Sequence, residues 1–397
     1  MKILRKAMPM LSAALLFVAC SKDAEPGTEP GGSTIEGETV ETTFDLAVSR
    51  LSSATSLPAS TGMTAEQEDA VNNVWVLQFI GGDMVLHEYY DQFTPVSSTA
   101  KKVSVALKPG NSTVYFVANV GADYFASLES AALTAFEADV FDFSDWKGTA
   151  TTGLPMVGVY VGPTATPPAD AVKLTRMVSR IEFTCTLDLP TAVTTLPSGT
   201  KLPAPQLKLS RVQITNAANN VRYKAHNLTG STLKVCPVFP ANANNSDLAD
   251  NYMHYAEDTS VAGKTTFTIV WYVPENLKGA IVPTVDSSLS AEEQEKQAQK
   301  NKSSKYAPAG STCIELSGDY IETTASKNEA GADVLTETIK DVTYCIYPGQ
   351  NATTDFNLIR NYSYTIETTI KGIDETDTRV IVEKGIPAGS YIDGEWE

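Results

Sequence analysis

Hydrophobic and polar residues alternate from Thr42 to Ser49, with Phe44, Leu46 and Val48 set against Asp45, Ala47 and Ser49. A period of two puts one set on the buried face of a β-strand and the other on its polar face. The strand ends at Arg50 and gives way to small, flexible residues from Leu51 to Ser60. The next strand, VNNVWVLQFI (Val71 to Ile80), is apolar on both faces and is expected mid-sheet. A Gly81-Gly82-Asp83 turn leads into DMVLHEYYDQF, its hairpin partner. Two more strands flank Pro109-Gly110-Asn111. Phe125 to Phe141 is the one helix expected in the first half, with Leu128, Ala132, Ala135 and Phe136 on one side. LPMVGVYVG and VKLTRMVSRIEFTCTLDL complete the first set of strands.

Pro190 to Pro205 breaks the pattern with Pro, Thr and Gly, and the domain boundary is expected there. Beyond it come strands in QLKLSRVQITN, KTTFTIVWYVP, STCIELSGDYIET, VTYCIYPG and NYSYTIETTIKGI. Ser290 to Tyr306 interrupts them as a charged, helix-like excursion, with Glu292, Glu293 and Glu295 near Lys296 as on a solvated helix face; the alternative is a surface loop without function. Many short strands between turn signals predict a mainly β chain with a few short helices, folded as a sandwich or barrel in each half.

The chain start reads differently. Lys2, Arg5 and Lys6 precede an apolar run from Ala7 to Ala19, too short to span a bilayer, which needs about 20 apolar residues. Residues 1–19 are expected to be a signal peptide. The run ends in Val18-Ala19-Cys20, small residues before a cysteine as in a bacterial lipobox, with Phe17 in place of the usual Leu. Acylation at Cys20 would anchor the protein to the cell envelope. Residues 20–38 are rich in Pro, Gly, Ser and acids and form a flexible tether.

The net charge of −17 over 397 residues argues against nucleic acid, which needs clustered Lys and Arg. It suits an exported surface protein. Cys185, Cys236, Cys313 and Cys345 form no CxxC pair, so zinc and thioredoxin-like chemistry are not expected. They allow two disulfides, with Cys313 and Cys345 as candidate cross-strand neighbours, or serve as small buried hydrophobes. No G-x-S-x-G, P-loop or G-x-G-x-x-G opens a helix, and the chain is not expected to be an enzyme or to carry a cofactor. His87-Glu88 lacks the second histidine and the helix of a zinc motif. His226 and His254 complete the histidines, and His254 sits in a polar stretch beside Asp250, Glu257 and Asp258. Asp374, Glu375 and Asp377 read as a solvated acidic turn. No metal site is expected.

Taken in order, these stretches resemble the fimbrillin family, the subunits of Bacteroidetes type V pili. The lipobox and acidic tether match lipoprotein precursors, and the strand ending at Arg50 sits where that family is cleaved. VNNVWVLQF and STVYFVANVG resemble core strands of the first domain. LTRMVSRIEF (Leu174 to Phe183), with Arg176 and Arg180, resembles the basic stretch that closes it. WYVPENLKG and Asn351 to Val380 resemble second-domain signatures. The resemblance implies two tandem transthyretin-like β-sandwich domains, 39–190 and 205–397. It implies export as an outer-membrane lipoprotein and cutting by an arginine-specific protease between Arg50 and Leu51. The strand 40–50, with Phe44, Leu46 and Val48, then leaves, and a strand of the next fimbrial subunit fills the groove. An open sheet edge beside an apolar groove is a template for strand addition in any protein.

The segment 379–397 is the candidate donor tail, with Ile381, Ile386, Tyr391, Ile392 and Trp396 as anchors. Gly385, Pro387, Gly389 and Gly394 break its pattern, so stalk and tip positions both stay open. The alternative is an outer-membrane lipoprotein that binds glycans, with DMVLHEYYDQF and DNYMHYAED supplying aromatic rings.

Overall fold

Strand formation follows the alternation closely through the first half of the chain. The computed structural model describes residues 39–50, 62–97, 100–143, 152–166, 168–225, 252–373, 375–384 and 386–387. Cys20 with the signal and tether, Leu51, Cys236, His226, Asp374, Tyr391, Ile392 and Trp396 lie outside the described residues. From Thr39 onward the chain is one compact, mainly β unit with two hydrophobic cores.

The first core is built by β1 (Val40–Arg50), β2 (Val74–Ile80), β3 (Asp83–Tyr90), β4 (Thr94–Ser97), β5 (Ala100–Leu107), β6 (Asn111–Ala118), β7 (Val140–Asp142), β8 (Met156–Pro163) and β9 (Val172–Arg176). Their order is β3-β2-β6-β8-β9-β1-β5-β4, with β7 outside this path. β8 and β9 share only the pairs Met156↔Arg176 and Val157↔Thr175. At that narrow seam the sheet folds over, and its halves face each other. Phe44 of β1 meets Phe116 of β6 edge-on, ring centroids 5.0 Å apart.

β2 lies mid-sheet between β3 and β6, which explains its two apolar faces. Its second face is covered by the segment expected to be a long helix. Only α2 (Leu133–Ala138) is helical there; a single turn, α1 (Ala65–Glu68), precedes β2. The reason is a competing set of backbone bonds. Met84 N–H donates to Ala131 O (3.0 Å) and Leu133 N–H to Gly82 O (2.7 Å). A backbone tied to the β2–β3 turn cannot also close a helical ladder. The apolar residues still bury: Phe136 packs on Phe79, Tyr115 and Phe125.

The second core begins with β10 (Val178–Leu187), followed by the small hairpin β11 (Thr194–Thr195) and β12 (Lys201–Leu202). Then come β13 (Gln206–Ala218), β14 (Asn220–Arg222), β15 (Tyr252–Ser260), β16 (Thr266–Pro274), α3 (Ala291–Asn301), β17 (Cys313–Lys327), β18 (Asp333–Ile346), β19 (Tyr362–Gly372), β20 (Glu375–Lys384) and β21 (Ile386–Pro387). Sheet β16-β10-β19-β20 packs on sheet β15-β13-β17-β18. β14 pairs with β7. β10, grouped from sequence with the first set of strands, pairs antiparallel with β16 and parallel with β19. Met177 and Val178 lie in the first core, and Ile181, Phe183 and Cys185 in the second. β10 therefore carries residues of both cores. Periodicity identifies a strand but not its partner. β16 also serves both cores: Val270 and Tyr272 face the first, Ile269, Trp271 and Val273 the second.

Cys185, Cys313 and Cys345 are free thiols, the first two buried. The register sets Cys345 opposite Glu315, so Cys313 is its diagonal rather than direct neighbour.

α3 matches its sequence reading. Ser290 and Glu293 form a capping box, and Lys296 pairs with Glu292 at 2.8 Å. At its C-terminal end Lys302 is buried; its Nζ donates to Asn351 O (2.5 Å) and lies 5.5 Å from the centre of the Phe356 ring. Burial pushes the ammonium down to about 7, against a weaker pull from Asp355. The unfolded chain then holds a proton that the folded chain lacks between about pH 7 and the ordinary lysine value. Stability contributed by this group rises with pH through that window, by about 1.4 kcal/mol per unit. Urea unfolding at pH 7.5 and 9 is expected to show this slope in the wild type relative to Lys302→Met. Parallel pH profiles for the two proteins would disprove it.

Candidate functional site: the groove that holds β1

β1 is held on both backbone edges. Val40 to Ala47 pair antiparallel with Leu107 to Ala100 of β5. Leu46, Ala47 and Val48 pair parallel with Val172, Lys173 and Leu174 of β9. Its alternation sets the inward face: Phe44, Leu46 and Val48 are each fully buried. Val103, Val105 and Leu107 of β5 and Val172 and Leu174 of β9 are buried in the same cluster. Phe116 and Tyr160 meet the Phe44 ring at 5.0 and 5.3 Å. At the start of the strand Thr42 Oγ1 donates to Thr164 O (2.6 Å). The outward face is polar, with Thr43 and Ser104 hydroxyls 2.9 Å apart and a half-exposed Lys102–Asp45 pair at 3.5 Å.

Burial of each large apolar side chain is worth about 1.5–3 kcal/mol. Absence of β1 would strip β5 and β9 of ladder partners and open an apolar slot along the core. The site offers strand-shaped binding. Among the described residues no cluster of His, Cys, Asp and Glu is suited to a metal. His87 lies in β3 and stacks on Trp75, ring centroids 6.0 Å apart. Tyr89 packs on the same ring at 5.5 Å, and Tyr90 donates to Glu88. These rings of DMVLHEYYDQF are thus engaged with the protein itself.

The backbone of Arg50 closes β1, opposite Ile386 of β21. Part of the segment read as a candidate donor tail has a partner within the chain. Arg379 to Lys384 belong to β20, where Ile381 pairs with Thr365 of β19. The alternation of RVIVEK suits an edge strand of its own sheet. Ile386 lies in β21.

α1 ties the chain to Tyr272, Arg176 and Arg180. Thr64 and Gln67 form a capping box. Met63 N–H donates to Tyr272 Oη (3.0 Å), and that hydroxyl donates to Glu68 (2.5 Å). Arg176, wholly buried, pairs with Asp69 and donates to Glu68 O (3.1 Å) and Asn361 (3.0 Å). Arg180 pairs with Glu182 at 2.8 Å and Glu68 at 3.3 Å. Burial raises the Glu68 carboxyl above its ordinary range, against the hydrogen bond from Tyr272 and the pull of Arg180. Nearby, Arg360 pairs with Glu275 at 2.8 Å and donates to the carbonyls of Arg222 and Tyr223. Sequence reasoning marked Arg176 and Arg180 but missed Glu68, Asp69, Tyr272, Glu275, Arg360 and Asn361. The readable signal was the Thr64-x-x-Gln67 capping box, which places Glu68 and Asp69 at the end of a helical turn.

Residues 42–179 match the family model of the major fimbrial subunit protein FimA. Residues 271–368 match a domain of unknown function, DUF4906. A candidate cell adhesion protein from Parabacteroides distasonis ATCC 8503 is 16% identical, with 89% of this chain and 98% of that chain covered at a TM-score of 0.53. A candidate cell adhesion protein from Bacteroides eggerthii DSM 20697 is 14% identical, with 89% and 98% covered at 0.51. A fimbrilin from Porphyromonas gingivalis W83 is 14% identical, with 87% and 97% covered at 0.47. The first two share the fold. No curated protein matches the chain. Over residues 42–179, from β1 and its groove to the start of β10, the chain is similar to the FimA major fimbrial subunit family.

Proposed function

We propose that the protein is a structural subunit of a cell-surface fimbria, assembled by strand exchange at the β1 groove and supporting adhesion. In this reading it is exported as a lipoprotein acylated at Cys20 and held at the outer membrane. The two cores act as tandem transthyretin-like sandwiches. An arginine-specific protease cuts after Arg50, β1 leaves, and a strand of another fimbrial subunit takes its place. The observation that carries the reading is the placement of β1. It is bonded on both edges, buried on one face, and followed by an arginine. A strand so placed keeps the groove closed until it is cut away.

α1 supports the same sequence of events. Its bonds to Tyr272, Arg176 and Arg180 do not involve β1. The chain beyond the cut would stay pinned to the body while β1 departs.

The test is an Arg50→Ala precursor beside the wild type. Treated with an arginine-specific protease, the wild type should lose an N-terminal piece ending at Arg50, seen by N-terminal sequencing. It should then bind an alternating apolar strand peptide and associate on size exclusion. The variant should keep β1 and elute as a monomer. Assembly of Arg50→Ala to the wild-type extent would refute the reading.

A further inference from the structure

We propose that β21 is a clasp on the exit end of β1, which slows the cut after Arg50. The inference rests on the processing step at Arg50 proposed above. Both long flanks of β1 stop short of its end. Pairing with β5 finishes at Ala47↔Ala100 and with β9 at Val48↔Leu174. Ser49 and Arg50 remain in strand conformation beyond both, where their partners are Pro387 and Ile386, paired antiparallel.

That partner comes from the other core. β20 runs along β19 as far as Lys384↔Tyr362, and Gly385 alone separates it from β21. One residue after leaving the second core, the chain covers the end of the strand that processing would remove. A protease that reads arginine takes its substrate as an extended strand and bonds to its main chain. A main-chain edge paired with β21 is not free for that purpose, so the clasp must open first. Pro387 has no N–H, so only its carbonyl can serve the ladder there. The clasp is therefore weak enough to open without unfolding the sheet.

The cut itself is hydrolysis. Water adds across the Arg50–Leu51 peptide bond, leaving a carboxylate on Arg50 and an amine on Leu51. Departure of β1 then removes the ladder partners of Ile386 and Pro387. One cleavage would open the groove and leave β21 without its partner strand.

The experiment compares three full-fold proteins under limited arginine-specific proteolysis: the wild type, a chain ending at Lys384, and Ile386→Pro, which removes the remaining N–H of β21. The rate of cutting after Arg50 should rise about tenfold in both variants, the worth of one or two net backbone hydrogen bonds. Cutting after Arg211, in β13 of the second core, reports global unfolding and should stay constant. Should truncation also speed the Arg211 cut, Ile386→Pro decides. Equal Arg50 rates in all three, with the cut still made, would overturn the clasp and leave the processing step standing. No cut after Arg50 in any of them would overturn both.

Discussion

Phe44→Ala is expected to lower the unfolding free energy of the uncut protein by about 3–5 kcal/mol, the largest effect at any single position of β1. The ring is fully buried and holds edge contacts to Phe116 and Tyr160 from across the fold. Truncation removes those contacts and leaves a cavity that the ladders on both edges prevent from collapsing. Thr43→Ala, on the outward face of the same strand, should change stability by no more than about 0.5 kcal/mol. Urea unfolding of the two variants measures the difference. A second arm ties the effect to function. Once β1 has been cut away, the Phe44→Ala and wild-type proteins should unfold at the same midpoint, because residue 44 is no longer present. A loss below about 1 kcal/mol in the uncut protein, or a difference that survives processing, would count against a removable strand.

Asp69→Ala is expected to cost about 3–5 kcal/mol. The Arg176 guanidinium is wholly buried, and burial holds its pKa below the ordinary value against the pull of Asp69 and Glu68. Removal of Asp69 leaves that charge without its closest carboxylate in a site that water does not reach. Arg176→Met should cost a comparable amount by stranding Asp69. The double variant Asp69→Ala with Arg176→Met should recover part of the loss, because neither charge is then buried without its partner. A double-mutant cycle by urea unfolding reads the coupling. Losses that simply add would mean the two side chains contribute independently.

The groove itself was partly legible in the residues. Phe44, Leu46 and Val48 announced a buried face because side-chain direction in a strand depends only on position parity. Their partners were not legible. Val103 and Val172 lie far along the chain in different strands, and no local rule pairs Phe44 with one or Leu46 with the other. The same limit hid the acid partners of Arg176. Asp69 is 107 positions away, and a buried ion pair leaves only the mark of a charge inside an apolar run.

Two segments took a course that their own pattern does not show. Phe125 to Phe141 has helical spacing, but its backbone is bound by the β2–β3 turn, so only Leu133–Ala138 coils. Arg379 to Lys384 looked like the start of a free tail, but the strand completes the edge of its own sheet. In the first case a contact distant in sequence outweighed a local preference; in the second the strand turns back directly onto its neighbour β19.

What the sequence alone determined is therefore local: the β character, the buried parity of β1, the two apolar faces of β2, the hairpin at Gly81-Gly82-Asp83, and the charged helical stretch after Ser290. Each depends on a few adjacent residues and on backbone geometry. The tertiary structure alone decided that β10 serves the second core, that β16 faces both, that α1 locks onto Arg176 and Tyr272, and that β21 meets the end of β1. Those outcomes depend on which segments reach one another once the cores close. Strand pairing is a choice among remote partners, and the energy that settles it comes from packing and register rather than from the pattern of any one segment.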